Sequence, residues 1–283
     1  MNKILITGAT GHIGNRVAHL LKQDTSIRLM TRTPEKLSGF GQAEKIQAEY
    51  GDKASLTAAF KDIDTAFIVS GYAAPGQRAL LHKNAIDSAQ QAGVSHIVYL
   101  SFQGASAQSK FPMSRDHFQT EEFIRQSGLA CTILRDSFYM DLIPEMFGEN
   151  RLMRGPGGDG KVAWVAREDV ARTIAAVLSN PSAYPGTFNL TGREALSLTE
   201  TAGRLSKLTG KKYTYQQESV EEGMLWRNQL GAPAWEVDTW IGSYVAIAAG
   251  EVASVSKAVY EITHQHPFTL EEYVSQHPEI FHP

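Results

Sequence analysis

Residues 3–14 read KILITGATGHIG. The β-branched run Lys3–Thr7 stops at Gly8, and a stretch with helical spacing opens after Gly11. Within Ile13–Gln23, Ile13, Val17, Leu20 and Leu21 fall at i, i+4, i+7 and i+8, which is one helix face. The glycines at 8, 11 and 14 therefore lie on the bend from a strand into a helix. Gly8 permits the tight turn, Gly11 lets the backbone approach a pyrophosphate, and Gly14 lets the helix lie close on the strand. The unpaired N–H groups at the helix start then face the phosphates. Gly8, Thr10, Gly11, His12 and Ile13 are the candidate cofactor contacts of this turn.

Outward from the turn, short apolar runs alternate with helix-length connections. Ile27–Thr31, Lys45–Ala48, Thr65–Ser70, His96–Ser101 and Ala130–Leu134 read as strands; Gln77–Ala92 and Phe118–Ser127 read as helices. That alternation implies βαβ units, hence an α/β fold of the Rossmann type with a doubly wound parallel sheet. Past residue 141 the rhythm changes. Arg154–Gly160 is a Gly/Pro-rich loop, and Leu198–Leu208, Val220–Leu230 and Ala234–Ala248 read as helices. The expected division is a dinucleotide-binding domain over 1–140, rejoined by strands near 161–165 and 187–191. A smaller, mainly helical C-terminal substrate lobe takes 141–160 and 192–283.

The end of the second strand selects the dinucleotide. NAD-binding chains tend to place an acid there for the ribose hydroxyls. Here the sequence runs Met30-Thr31-Arg32-Thr33-Pro34-Glu35-Lys36. A guanidinium at Arg32 suits a 2′-phosphate through charge-assisted bonds, so NADP (NADPH) is expected ahead of NAD.

Composition bounds the rest. The 283 residues suffice for one large or two modest domains, and 42% hydrophobic against 20% charged supports a substantial core. With Lys+Arg 27 against Asp+Glu 30, no general nucleic-acid partner is expected. The single Cys131, placed in a strand, reads as a buried small hydrophobe. It excludes an intrachain disulfide framework and a Cys-based zinc cluster, and it fits a reducing, cytoplasmic setting. The start lacks a secretory apolar region and no window approaches a membrane span, so no membrane partner is expected. His264, His266, His277 and His282 cluster near the C-terminus, but their spacing fits no common metal template, and no metal is expected. Trp226, Trp235 and Trp240 either wall a pocket or pack a core. Ser101 lacks the surrounding glycines of a nucleophile elbow.

TGATGHIG, Arg32 and Gln47-Ala48-Glu49-Tyr50-Gly51-Asp52 together resemble the atypical short-chain dehydrogenase/reductases of the NmrA-like group. That group includes NADPH-dependent quinone and triphenylmethane dye reductases. HFQTEEFI from His117, LRDSFY from Leu134, DGK from Asp159, FNLTG from Phe188 and PFTLEEY from Pro267 continue the likeness in order. The resemblance implies cofactor contacts at Glu49 and at Ser70, Gly71 and Tyr72 after the fourth strand. It also implies a nicotinamide-side loop at Ser137, Phe138 and Tyr139. The wider family implies a Tyr and a Lys four apart. MSRDH, residues 113–117, stands in their place, and Met113 cannot donate a proton. His117 is therefore a candidate ribose contact or proton donor, and Tyr139 a candidate hydrogen-bond donor to the acceptor. The expected function is hydride transfer from NADPH to a flat, small-molecule acceptor such as a quinone, by a monomer or homodimer. The alternative is a non-enzymatic redox sensor acting through a protein partner; a sugar-nucleotide epimerase is disfavoured by Met113 and His117.

Overall fold

The strand–turn–helix start is present in the computed structural model, which describes residues 3–21, 26–41 and 43–281. β1 (Ile4–Ile6) is buried along its length, as a run with no polar alternation demands. It is followed by β2 (Ile27–Thr31), β3 (Glu44–Gln47), β4 (Thr65–Ile68), β5 (His96–Phe102) and β6 (Ala130–Asp136). Then come β7 (Leu152–Gly155), β8 (Lys161–Val162), β9 (Gly186–Leu190), β10 (Leu196–Ser197) and β11 (Thr214–Gln217). Seven strands form the main sheet in the order β3-β2-β1-β4-β5-β6-β9. Ile4 pairs in parallel with Ile27 on one side and Thr65 on the other. Chain order reverses between β1 and β4, the topological switch point where such sheets bind ligands beyond the strand ends.

Among the described residues the helices are α1 (His12–Leu20), α2 (Lys53–Phe60), α3 (Gln77–Gln91), α4 (Pro112–Ser127), α5 (Ile143–Phe147), α6 (Arg167–Ser179), α7 (Leu198–Thr209), α8 (Val220–Arg227), α9 (Ala234–Ala248), α10 (Ala258–Thr263), α11 (Leu270–Gln276) and α12 (Pro278–Phe281). α1 buries Ile13 and Val17, but Leu20 is 54% exposed, against the expected face. The helix ends there, and the neighbouring Leu21 is the one that is buried. α4 begins at Pro112, not Phe118, with proline in the first turn where its missing N–H costs nothing. MSRDH is thus helical.

The chain resolves into two compact units. The first comprises 1–102, 116–135 and 168–188. Its core gathers Leu5, Met30, Leu56, Phe60, Ile68, Ile86, Ile97 and Tyr99. Full burial of a side chain such as Phe60 contributes roughly 1.5–3 kcal/mol.

The second unit comprises 103–115, 136–167 and 189–283. Here β7 pairs with β11 in parallel and β8 with β10 antiparallel. The strand expected near 161–165 therefore does not rejoin the main sheet, whereas the one near 187–191 enters it as β9. The reason is local. Gly160 presses on α9 so closely that a Cβ there would stand 2.0 Å from the Ile247 carbonyl oxygen. Ser197 and Ser219 open α7 and α8 through reciprocal capping boxes with Glu200 and Glu222.

Candidate functional site

The glycine turn is closed by its own backbone. Gly8 adopts φ +60°, a conformation that suits glycine. Gly11 N–H returns to Gly8 O at 2.8 Å, and Ala9 N–H reaches Met30 O at 3.0 Å. Gly11 is the N-cap of α1, and among the described residues no side chain caps it. The first-turn N–H groups thus keep the capacity that binds phosphate. A Cβ on Gly14 would lie 2.3 Å from Gly8 O, and one on Gly11 3.2 Å from that oxygen. Gly11 and Gly14 thus close on the Gly8 backbone, while a Cβ on Gly8 would stand 2.5 Å from Val69 Cγ1. Thr10 Oγ1 bonds Thr31 Oγ1 at 2.8 Å, fastening the turn to the end of β2. His12 is exposed and Ile13 buried, so His12 is on the open side of the turn.

Arg32 leaves β2 directly. It is exposed, and among the described residues its guanidinium has no ion-pair or hydrogen-bond partner. Lys36, also exposed, ends the short turn Pro34–Lys36. Positive charge at the strand end fits a 2′-phosphate, and the uncapped helix start fits a pyrophosphate.

A buried polar scaffold holds the other side of the switch point. Val69 N–H donates to Thr7 Oγ1 at 3.0 Å. The Thr7 hydroxyl meets Tyr50 Oη at 2.7 Å, and Tyr50 Oη–H donates to Val69 O at 2.8 Å. That closed cycle locks β1 to β4. Beyond it, Gly71 N–H donates to His82 Nε2 at 3.1 Å, and His82 Nδ1 meets Thr120 Oγ1 at 2.9 Å. Burial, reinforced by the charge of Arg78, pushes His82 down to about 3, so it stays neutral and accepts from Gly71. Asp116 Oδ1 takes Gly76 N–H at 2.9 Å, and its Oδ2 faces Arg78 Nε at 3.4 Å. The loop that carries Gly71 and Tyr72 is therefore gripped at both ends from α3 and α4. Tyr72 is 75% exposed, Ser70 is half-buried, and Glu49 is exposed with its N–H on Ser55 Oγ. The sequence reading singled out the loop but missed His82, Asp116 and Thr120. Their signal was faint, because polar residues on amphipathic helices usually face solvent.

His117 lies one helical turn beyond Met113 in α4. It is buried, its Nδ1 is 2.8 Å from Tyr99 Oη, and its ring stacks near Phe102. Burial, with the charges of Arg78 and Arg135 behind it, holds its pKa well below the usual imidazole range. A neutral imidazole keeps one N–H donor and loses the acid form at physiological pH.

In the second unit, Tyr139 follows β6, bridging to Val165. Its hydroxyl bonds Asp136 Oδ2, and the Arg167 guanidinium lies 5.0 Å over its ring. Arg167 N–H donates to Asp141 Oδ2 at 3.0 Å. Asp136 is 4% exposed, and burial pushes its carboxyl up to about 8 against the opposing pull of Tyr139 and Arg167. Ser137 is buried, and its Oγ has no hydrogen-bond partner among the described residues. Phe138 packs between Phe111 and Trp164.

Other candidates find structural roles. The Ser101 hydroxyl donates to buried Glu121 at 2.6 Å. Trp226 is stacked by Arg154 and Arg227, and its Nε1–H donates to Glu218. Cys131 is half-buried, a partial departure from the expected full burial, and its thiol is pushed up by desolvation. His266 stacks on Tyr260 and His277 packs on Tyr273; His282 lies outside the described residues.

Comparison with known proteins follows the same lines. The NmrA-like family model matches residues 1–274. Quinone oxidoreductase 2 of Escherichia coli is 33% identical, with 96% of this chain and 97% of that protein covered. The solved E. coli NADPH-dependent quinone oxidoreductase in complex with NADPH aligns with a TM-score of 0.87 at 32% identity, covering 96% and 99% of the two chains. Citrobacter triphenylmethane reductase complexed with NADP(H) gives 0.86 at 29%, covering 97% and 99%. A Staphylococcus aureus protein described as a nucleoside-diphosphate-sugar epimerase gives 0.88 at 26%, covering 97% and 99%. With a glycine cradle at the switch point and a family match along almost its whole length, the chain belongs to the NmrA-like family.

Proposed function

We propose that this protein is an NADPH-dependent reductase that passes hydride to a flat, electron-poor organic acceptor such as a quinone. The carrying observation is the tightly packed cradle of Gly8, Gly11 and Gly14, with an Arg32 guanidinium at the end of β2 that has no partner among the described residues. Pyrophosphate belongs over the start of α1 and a 2′-phosphate beside Arg32. The relatives named as quinone and dye reductases support the acceptor class.

When bound, the nicotinamide supplies the hydride, and the protein supplies position and hydrogen bonds. Thr7, Tyr50 and Val69 keep the ends of β1 and β4 rigid, and His82 and Asp116 hold the Gly71–Gly76 loop. His117, held neutral, serves as a hydrogen-bond contact to the nicotinamide ribose and not as an imidazolium acid. Tyr139 is the donor to the acceptor oxygen. Met113, in the place of a family tyrosine, sets the epimerase reading aside.

The test is NADPH oxidation by purified protein against a panel of quinones and cationic dyes, with NADH in parallel. Turnover with NADPH, weaker with NADH, is expected. Tight cofactor binding with no oxidation by any acceptor would overturn the reductase reading and favour a redox sensor.

A further inference from the structure

Tyr139 can give a hydrogen bond to an acceptor only if its own proton is not already committed elsewhere. In the structure its hydroxyl bonds a buried carboxyl, Asp136 Oδ2. A carboxylate takes that proton bond and leaves the phenol nothing to offer; a carboxylic acid donates to the phenol oxygen and frees the phenol hydrogen. The surroundings decide between the two. Asp136 ends β6 at 4% exposure, and its main-chain oxygen is taken by Gln103 N–H at 2.7 Å. The cation nearby is Arg167, and its geometry favours other partners. Its guanidinium covers the Tyr139 ring, its backbone N–H goes to Asp141 Oδ2, and its Nη1 is 3.9 Å from Asp141 Oδ1. Among the described residues no Arg167 nitrogen is within ion-pair distance of Asp136. Tyr139 and Arg167 are the titratable and charged groups that act on Asp136, and Asp141 acts on Tyr139.

We infer that Asp136 is the proton reservoir for Tyr139, a buried carboxylic acid whose O–H points the phenol's hydrogen at the acceptor. The inference rests on the reductase reading above. As hydride brings two electrons to the acceptor, the acceptor oxygen takes the Tyr139 proton: the phenol O–H bond breaks and a new O–H bond forms. Asp136 then passes its proton to the phenolate and regains one from solvent. One hydride and one proton leave a quinone as hydroquinone and NADPH as NADP⁺. Asp136 acts through Tyr139 and is a positioning residue.

The burial that lifts Asp136 to about 8 sets the pH at which the relay fails. Above it the carboxylate captures the phenol proton, and turnover should fall along an alkaline limb. Asp136→Asn keeps a side-chain N–H donor to Tyr139 at every pH. Having no proton to pass on, it should lower kcat at neutral pH and lose the alkaline limb while NADPH affinity stays unchanged, and Tyr139→Phe should likewise lower kcat and leave NADPH affinity unchanged. A second readout needs no cofactor: the infrared carbonyl band of a protonated carboxyl, present at neutral pH, should fade near pH 8 and be missing from Asp136→Asn. An alkaline limb that survives in Asp136→Asn, or a carboxyl already ionised at neutral pH, overturns the relay while the reductase reading stands. Absence of turnover in the unmodified protein defeats the reductase reading and the relay together.

Discussion

Adding one methyl group at two glycines should give opposite results. In Gly14→Ala the new Cβ would sit 2.3 Å from Gly8 O, 2.8 Å from Gly8 C and 3.0 Å from Thr7 O, all backbone atoms. No side chain can rotate away, so the start of α1 must back off by about 1 Å to restore ordinary contact. Overpacking of that kind costs about 1–3 kcal/mol, and alanine's helix preference returns about 1 kcal/mol. Net stability should therefore fall by up to about 2 kcal/mol. The displaced atoms also form the phosphate cradle, so NADPH affinity should fall at least about tenfold, equivalent to 1.4 kcal/mol. Gly203 is the control. It is exposed within α7, and a Cβ there meets nothing within 4 Å. Gly203→Ala should gain about 0.5–1 kcal/mol, raise Tm by roughly 2 °C, and leave affinity unchanged. Calorimetric titration with NADPH and thermal unfolding of both variants read the two effects. Unchanged NADPH affinity in a folded Gly14→Ala protein would refute the cradle.

Arg32→Ala removes one guanidinium's charge-assisted bonds, so NADPH affinity should drop about 10–100-fold while NADH affinity holds; equal losses in parallel titrations would sink the 2′-phosphate assignment. Glu121 is fully buried and binds Arg135 at 2.6 and 2.8 Å, Arg125 at 2.9 Å and Ser101 at 2.6 Å. Glu121→Ala should cost about 3–5 kcal/mol in denaturant unfolding, because Arg135 loses its partner. Asp136 has a folded pKa above its unfolded value, so its stabilising effect is full below about pH 4 and is lost as pH rises toward 8. At pH 7 the loss is on the order of 4 kcal/mol at 1.36 kcal/mol per pH unit; Asp136→Asn should unfold without that pH slope, and a wild-type protein equally stable at pH 5 and 8 would refute the assignment.

The sheet was legible because its signals are local. KILIT, IRLMT and HIVYLS are too apolar to lie anywhere but in a buried parallel sheet, and Gly8 and Gly14 declare a bend that other residues cannot make. Arg32 was legible for the same reason, since its place is fixed by the strand it follows. The residues that hold the Gly71–Gly76 loop were not. His82 and Asp116 meet the Gly71–Gly76 loop only through the packing of α3 and α4, across 11 and 40 residues of sequence. Nor does sequence separate an ionised surface aspartate from Asp136, whose protonation follows from burial and from the way Arg167 is occupied. The strand near 161–165 went astray because two residues of β character do not say which sheet they join.

The most direct measurement is a single turnover of the protein–NADPH complex mixed with excess quinone, using NADPH carrying either hydrogen or deuterium at C4. Hydride transfer predicts that the bound NADPH is consumed and its near-ultraviolet absorbance lost, with the deuterated cofactor reacting more slowly. Bound NADPH that persists unchanged beside the quinone would contradict the reductase assignment. Consumption at the same rate for both isotopes would leave hydride transfer no part in the measured step.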